Sequence, residues 1–325
     1  MSGRPWVLLA DIGGTNARFA LGDPGSGTIS EQRTESVSAH PSFTSALQAY
    51  LAGVAGRGDW AALPGDACLA VACPADRPVI TFTNSDWVID RQDVALTLRL
   101  RELHLINDFE AIGYAAAAFR DDDWVQLGGG EARVDRPIGV LGPGTGLGVC
   151  SVIPTGNGPS VFPGEGGHVD FAPVNEQEIQ LLRLLLTRYR RVSAERLLSG
   201  AGLQNIYWAL TEMRGALSRQ PSPADISAAA LADEDPVAVE TLRVFCAVLG
   251  AVAGNLALTL GAGGGIYVAG GIVPRMLDFI RHSEFRERFL AKGRFRDYLN
   301  EIPTRIVTRP DPGLLGAFRF LQQQR

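Results

Sequence analysis

The sequence predicts an α/β protein of two domains, and three observations carry that prediction. Two glycine turns, ADIGGTNARFAL at 10–21 and GVLGPGTGLGVCSVI at 139–153, each lie between apolar runs and share a Gly-Thr pair. A third glycine cluster, GAGGGIYVAGGIVP at 261–274, wraps another apolar strand. Between these clusters, short apolar runs alternate with helical stretches, the pattern of a sheet covered by helices. The order strand, glycine hairpin, strand opens both halves, which suggests an internal duplication with each half forming one wall of a cleft.

Strands are expected near Val7, Phe19 and Leu69, where apolar runs carry no helical period. A helix at 42–51 has Ser42 as cap and Leu47, Tyr50 and Leu51 on its apolar face, and a strand follows at 104–106. Near Phe119 the chain turns acidic (RDDDW) and then glycine-rich (GGGE), and the second glycine hairpin opens a new unit at Pro137. The expected domains are therefore a small one, 1–118 with 309–325, and a large one, 119–308. In the large domain, helices are expected at 175–190, 193–214 and 236–260, the last with Asp235 as cap and Pro236 in its first turn. A strand at 265–269 and a helix at 274–292 follow. The final PDPGLLGAFRFL reads as a turn and a last helix that returns to the first domain.

Composition narrows the function. With 325 residues, 46% hydrophobic and 20% charged, the chain can bury two cores. A net charge of -5 with interspersed acidic residues argues against a nucleic-acid surface. Cys68, Cys73, Cys150 and Cys246 form no CxxC pair, and no secretory leader precedes them, so reduced thiols and a cytoplasmic location are expected. No charge occurs at 244–274, but glycines divide that stretch, so a buried helix is expected there and not a membrane span.

No GxxxxGK[ST] exists, and the one lysine, Lys292, lies in a charged segment expected to be an exposed helix. A Walker lysine and a Schiff-base lysine are thereby disfavoured. What remains is a nucleotide clamp of glycine turns, whose bare backbone N–H groups can approach an anion closely.

Polar residues stand at the ends of apolar runs. In LINDFEAIG, Asn107 and Asp108 end a strand, where side chains meet a cleft and a carboxylate can accept a hydroxyl proton; helix capping is the alternative. In PGEGGHVDFAP, Glu165 and His168 flank a Gly-Gly turn and can read vicinal hydroxyls or merely stabilise the turn. In VSAERLLSG, Glu195 is expected in the first turn of a helix behind Ser193, where it compensates the helix dipole or binds hydroxyls.

Taken in order, DIGGTNARFAL, INDF, GPGTGLG, PGEGGHVDFAP, VSAERLLSG and AGGIVPR resemble the bacterial glucokinase family, the ATP:D-glucose 6-phosphotransferases of the actin-like ATPase and hexokinase superfamily. The resemblance runs from about Leu8 to Leu315. It implies two ribonuclease H-like, actin-like ATPase domains flanking a cleft. It also implies that Asp108 is the general base, and that Asn107, Asp108, Glu165, His168 and Glu195 hold glucose. Ala10, Asp11, Ile12, Gly13, Gly14 and Thr15 would hold ATP phosphates together with Gly144, Thr145 and Gly146, while Gly270 and Gly271 lie by adenosine. Asp11 would meet Mg²⁺ through water.

The same resemblance implies D-glucose and ATP as partners, a homodimer in the cytoplasm and the first step of glycolysis. Ala10 departs from the glycine frequent in the family. Arg18 is a candidate for meeting phosphoryl charge or an outward strand residue, and Asn84 matches a small-domain segment without an assigned role. The related repressor and open-reading-frame sugar kinases carry a CxCG-type zinc segment and often a helix-turn-helix extension, and neither is read here. A kinase for another hexose and a non-catalytic sugar and ATP sensor are the rival readings.

Overall fold

The computed structural model describes residues 6–54, 64–73, 75–82, 85–216 and 220–325, so Asn84 lies outside the described residues. The chain divides into two compact units, Met1–Phe119 with Arg309–Arg325, and Arg120–Thr308.

The first unit contains β1 (Val7–Ile12), β2 (Asn16–Asp23), β3 (Thr28–Ser36), α1 (Phe43–Val54), β4 (Asp66–Val71), β5 (Val79–Phe82), β6 (Ser85–Asp90), α2 (Arg91–Leu98), β7 (Glu102–Asn107) and α3 (Asp108–Ala116). Its main sheet has the order β3-β2-β1-β4-β7, and β5 and β6 form a separate hairpin. β1 to β3 are an antiparallel meander, while β4 and β7 run parallel to β1.

The second unit contains β8 (Trp124–Gly128), β9 (Ile138–Pro143), β10 (Leu147–Thr155), β11 (Gly158–Gly164), α4 (Glu176–Leu186), α5 (Gly200–Met213), α6 (Pro223–Leu231) and α7 (Pro236–Leu260). β12 (Gly265–Val268), α8 (Leu277–Arg281), α9 (Phe285–Leu290), α10 (Arg296–Asn300) and β13 (Thr304–Val307) complete it, and α11 (Pro312–Gln323) belongs to the first unit. Its sheet, β11-β10-β9-β12-β13-β8, repeats the same plan of a meander followed by two parallel strands, with β8 added antiparallel at the edge.

Strand alternation sorts the first unit's core. Leu8, Ala10 and Ile12 of β1 pack with Phe43, Leu47 and Tyr50 of α1. Val7 and Leu9 face the other way, onto Leu314, Ala317 and Phe318 of α11. Asp11 continues that second face at the end of the strand. The close approach of α11 depends on glycine, because a Cβ on Gly316 would lie 1.6 Å from the Ala111 carbonyl oxygen of α3 and one on Gly313 would lie 2.7 Å from Asp11 Cγ.

In the second unit, α7 runs 25 residues from the Asp235 cap, whose carboxylate accepts from the Val237 and Ala238 N–H groups, to Gly261 at φ 60°. Among the described residues it is the one helix long and apolar enough to cross a bilayer, yet 72% of its most apolar window is buried in the protein. Gly250 and Gly254 bring its backbone against the carbonyls of Phe285 and Phe289 on α9.

Three sequence expectations change. The helix expected at 193–214 is a one-turn 3₁₀ segment at Ala194–Arg196 followed by α5, which Ser199 caps and Ser193 does not. The helix expected at 274–292 breaks into a 3₁₀ turn, α8 and α9, because Ser283 and Glu284 interrupt it. Lys292 is not on an exposed helix: its Nζ donates to the Ala251 carbonyl at 3.0 Å beside the buried face of α9. All four cysteines are thiols outside any disulfide, with Cys68, Cys150 and Cys246 buried and Cys73 half-buried.

Gly316→Ala is expected to lower stability by at least about 2 kcal/mol, because α11 must lift from α3 to admit the methyl group. A thermal midpoint equal to wild type by calorimetry would contradict this account of the α3–α11 contact.

Candidate active site

In the first unit, the polar residues gather at one sheet edge. β1, β4 and β7 are parallel, and their C-terminal ends align through the pairs Ile12 with Val71 and Val71 with Asn107. Asp11, Asn107 and Asp108 thus leave the sheet at the same end, the usual place for a site in a parallel sheet.

Asn107, not Asp108, caps α3. Its Oδ1 accepts from the Phe109 N–H at 2.9 Å and the Glu110 N–H at 3.3 Å, and Glu110 returns a carboxylate to the Asn107 N–H. Asp108 is therefore the first helical residue, released from the capping role that Asp often fills. Burial, then the negative charge of Asp11, push its carboxyl up to about 6, opposed by hydrogen bonds from the Phe109 N–H and the Asn107 amide. Burial likewise raises Asp11, against the pull of Arg18, and Asp311 raises it further.

The tip between β1 and β2 is tight. The Gly13 N–H donates to the Asn16 carbonyl at 2.9 Å, while Ala10 and Ile12 bury their side chains in the core and commit their backbones to the β1 ladders. Arg18 lies directly across the β1–β2 pair from Asp11. Its Nη1 is 3.5 Å from Asp11 Oδ2 and its Nε is 2.8 Å from Asp311 Oδ1, so it is held between two carboxylates and is not an outward strand residue.

In the second unit, the loops carrying Gly144–Gly146, Glu165–His168 and Glu195 converge on Leu147. The Leu147 N–H donates to Glu195 Oε2 at 2.9 Å. A Cβ on Gly167 would lie 2.1 Å from the Leu147 carbonyl oxygen, and one on Gly146 would lie 2.6 Å from Glu195 Oε2. The Gly200 N–H donates to the Gly144 carbonyl at 2.9 Å, so the segment from Glu195 to Gly200 grips the 144–146 turn at both ends. Thr145 stands at the turn's tip.

Glu165 and His168 flank a 3₁₀ turn, with His168 Nε2 3.8 Å from Glu165 Oε2 and both side chains more than half exposed. The Ala194 N–H donates to the Val169 carbonyl, which ties this turn to the Glu195 turn. Gly270, at φ 85°, presses on the end of β9, where a Cβ would lie 2.4 Å from the Pro143 carbonyl oxygen; Gly271 next to it faces open space.

A family profile described as Glucokinase matches residues 8–324. The chain belongs to the glucokinase family. It is 43% identical to a glucokinase of Tolumonas auensis, over 98% of this chain and 97% of that one. It is also similar to the crystal structure of a glucokinase from an Antarctic psychrotroph, with a TM-score of 0.86 at 35% identity and 98% of each chain covered. A ROK family glucokinase from Streptomyces griseus, in complex with glucose and AMPPNP, shares the fold at a TM-score of 0.66 and 21% identity, over 98% of this chain and 100% of that one. The fold of this glucokinase-family chain is accordingly the two-domain actin-like ATPase fold.

Sequence reading missed Asp311 and the Leu147 peptide. Asp311 stands before Pro312 and Gly313, where an aspartate reads as a helix cap, yet its side chain makes no capping hydrogen bond. The Leu147 N–H carries no side-chain signal at all.

Glu195→Ala is expected to speed amide hydrogen exchange at Leu147 about tenfold to a hundredfold, the equivalent of losing one hydrogen bond to a charged acceptor. Unchanged exchange at that amide would show that Glu195 does not hold the turn in solution.

Proposed function

We propose that this protein is a glucokinase that transfers the γ-phosphoryl group of ATP to the 6-hydroxyl of D-glucose. The observation that carries the reading is Asp108: a half-buried carboxylate just past the end of β7, relieved of capping by Asn107, with its pKa lifted to about 6. Such a group is ionised at neutral pH and basic enough to take a hydroxyl proton. Family membership supports glucose as the acceptor and ATP as the donor.

In the reaction, Asp108 accepts the 6-hydroxyl proton as the sugar oxygen attacks the γ-phosphorus. The new P–O bond forms as the bond to the β–γ bridging oxygen breaks, and ADP leaves with that electron pair. Asn107, Glu165, His168 and Glu195 orient the sugar hydroxyls. The glycine turns at 10–15 and 144–146 take up phosphate charge, with Gly270 and Gly271 beside the adenosine.

Among the described residues no three His, Cys, Asp or Glu side chains cluster to chelate a metal. That suits Mg²⁺ carried by the nucleotide's own phosphates and water, with Asp11 the carboxylate that would touch its water shell. When bound, the ion would neutralise charge on the β- and γ-phosphates. A homodimer would appear in light scattering as twice the 34.7 kDa chain mass.

A coupled assay with ATP and a panel of hexoses tests the reading, which requires glucose 6-phosphate to form with the highest kcat/KM. Preference for mannose or an N-acetylated sugar, or binding without turnover, would replace it. Asp108→Asn is expected to lower kcat by about two to four orders of magnitude with glucose binding retained. A purified, folded variant with wild-type kcat would remove Asp108 from the role of base.

The pH profile provides a separate check. Because the ionised form is the active base and its pKa is raised, activity should be full well above about pH 6 and fall about tenfold per unit below it. A flat kcat/KM profile from about pH 5 to 8 would contradict proton acceptance by this carboxylate.

A further inference from the structure

Asp311 combines three properties that ordinary helix capping does not explain. Its backbone is left-handed, at φ 50° and ψ 51°, and it precedes Pro312 at the start of α11 without making a side-chain cap. Its Oδ1 is 2.8 Å from Arg18 Nε. Asp11, the carboxylate directly across the ladder from Arg18, stands farther from the guanidinium, at 3.5 Å.

An arginine and an aspartate facing each other across antiparallel strands ordinarily close to a short, often bidentate pair. Here Asp311 engages the Nε corner of the fork, and α11 is wedged against the far side of Asp11 through Gly313, where a Cβ would lie 2.7 Å from Asp11 Cγ. We propose that Asp311 is a positioning residue for the first phosphate turn: it draws the Arg18 guanidinium off Asp11, leaving the Asp11 carboxylate open to the hydrated metal of a bound nucleotide. Without the Asp311 carboxylate, Arg18 closes on Asp11 and occupies the face that the nucleotide's metal would use.

The inference rests on the ATP-dependent reading of the site, and its test separates the two. Asp311→Gly removes the carboxylate while suiting a left-handed backbone, and Asp311→Asn keeps a polar side chain that also tolerates that conformation. For Asp311→Gly, calorimetry should show the Kd for AMPPNP with magnesium rising about tenfold to a hundredfold, the scale for losing a group that orients a metal-facing carboxylate. KM for ATP should rise with it, while the Kd for glucose stays at the wild-type value. Asp311→Asn should fall between Asp311→Gly and wild type.

The discriminating variant adds Arg18→Gln to Asp311→Gly. Removing the arginine should return the AMPPNP Kd to that of Arg18→Gln alone, because no guanidinium remains to cover Asp11. Wild-type AMPPNP affinity in both Asp311 variants would overturn the proposal. So would a double variant weaker than Asp311→Gly, the additive loss expected of a merely structural ion pair. If the wild-type protein bound no AMPPNP and phosphorylated no hexose, the functional reading would fail and this inference with it.

Discussion

The site depends on backbone touching backbone where glycine has removed the side chain. Gly316 seats α11 on the Ala111 carbonyl, Gly167 seats the Glu165–His168 turn on the Leu147 carbonyl, and Gly270 seats the segment after β12 on the Pro143 carbonyl. Each contact is closer than any Cβ allows, so a larger residue at any of these positions must move a whole segment and not merely a rotamer. The candidate site side chains are carried by the segments so joined. Their placement follows from close packing far more than from local helix or strand preference.

The two units hold their polar groups in different electrostatic settings. In the first, Asp11 and Asp108 are half-buried near one another, and loss of solvent together with like charge raises both carboxyls. Arg18 is the cation paired with Asp11 there, and it is shared with Asp311. In the second, Glu165 and His168 stand largely in solvent, while Glu195 spends one oxygen on the Leu147 N–H. Carboxyls held above their ordinary range thus belong to one unit and the solvent-facing Glu165 and His168 to the other. The Ala194 N–H holds the Val169 carbonyl and Glu195 holds the Leu147 N–H, so two neighbouring residues tie the 165–168 turn and the glycine turn together.

Much of the site was legible because its residues sit in short, local patterns. Asn107 and Asp108 stood out at a strand end, and Glu165, His168 and the glycine turns stood out by spacing. Which of Asn107 and Asp108 would cap α3 was not legible, since both are favoured caps and only the backbone geometry distinguishes them. The supposed long helices at 193–214 and 274–292 failed for a related reason. Apolar periodicity continued through residues whose hydrogen bonds are taken up by other segments, as with Gly200, which donates to Gly144.

By itself the sequence determined the α/β class, the two glycine hairpins and the extent of α7, and it marked Asn107 and Asp108 as polar residues at a strand end, because each is written in neighbouring residues through turn chemistry and periodicity. Only the tertiary structure decided that Arg18 lies between Asp11 and Asp311, and that Glu195 grips the peptide of Leu147. These partners are separated by 293 residues in one case and 48 in the other. A contact at that distance exists only once packing has brought its elements together, and its energy depends on burial and angle, which no local pattern of residues specifies.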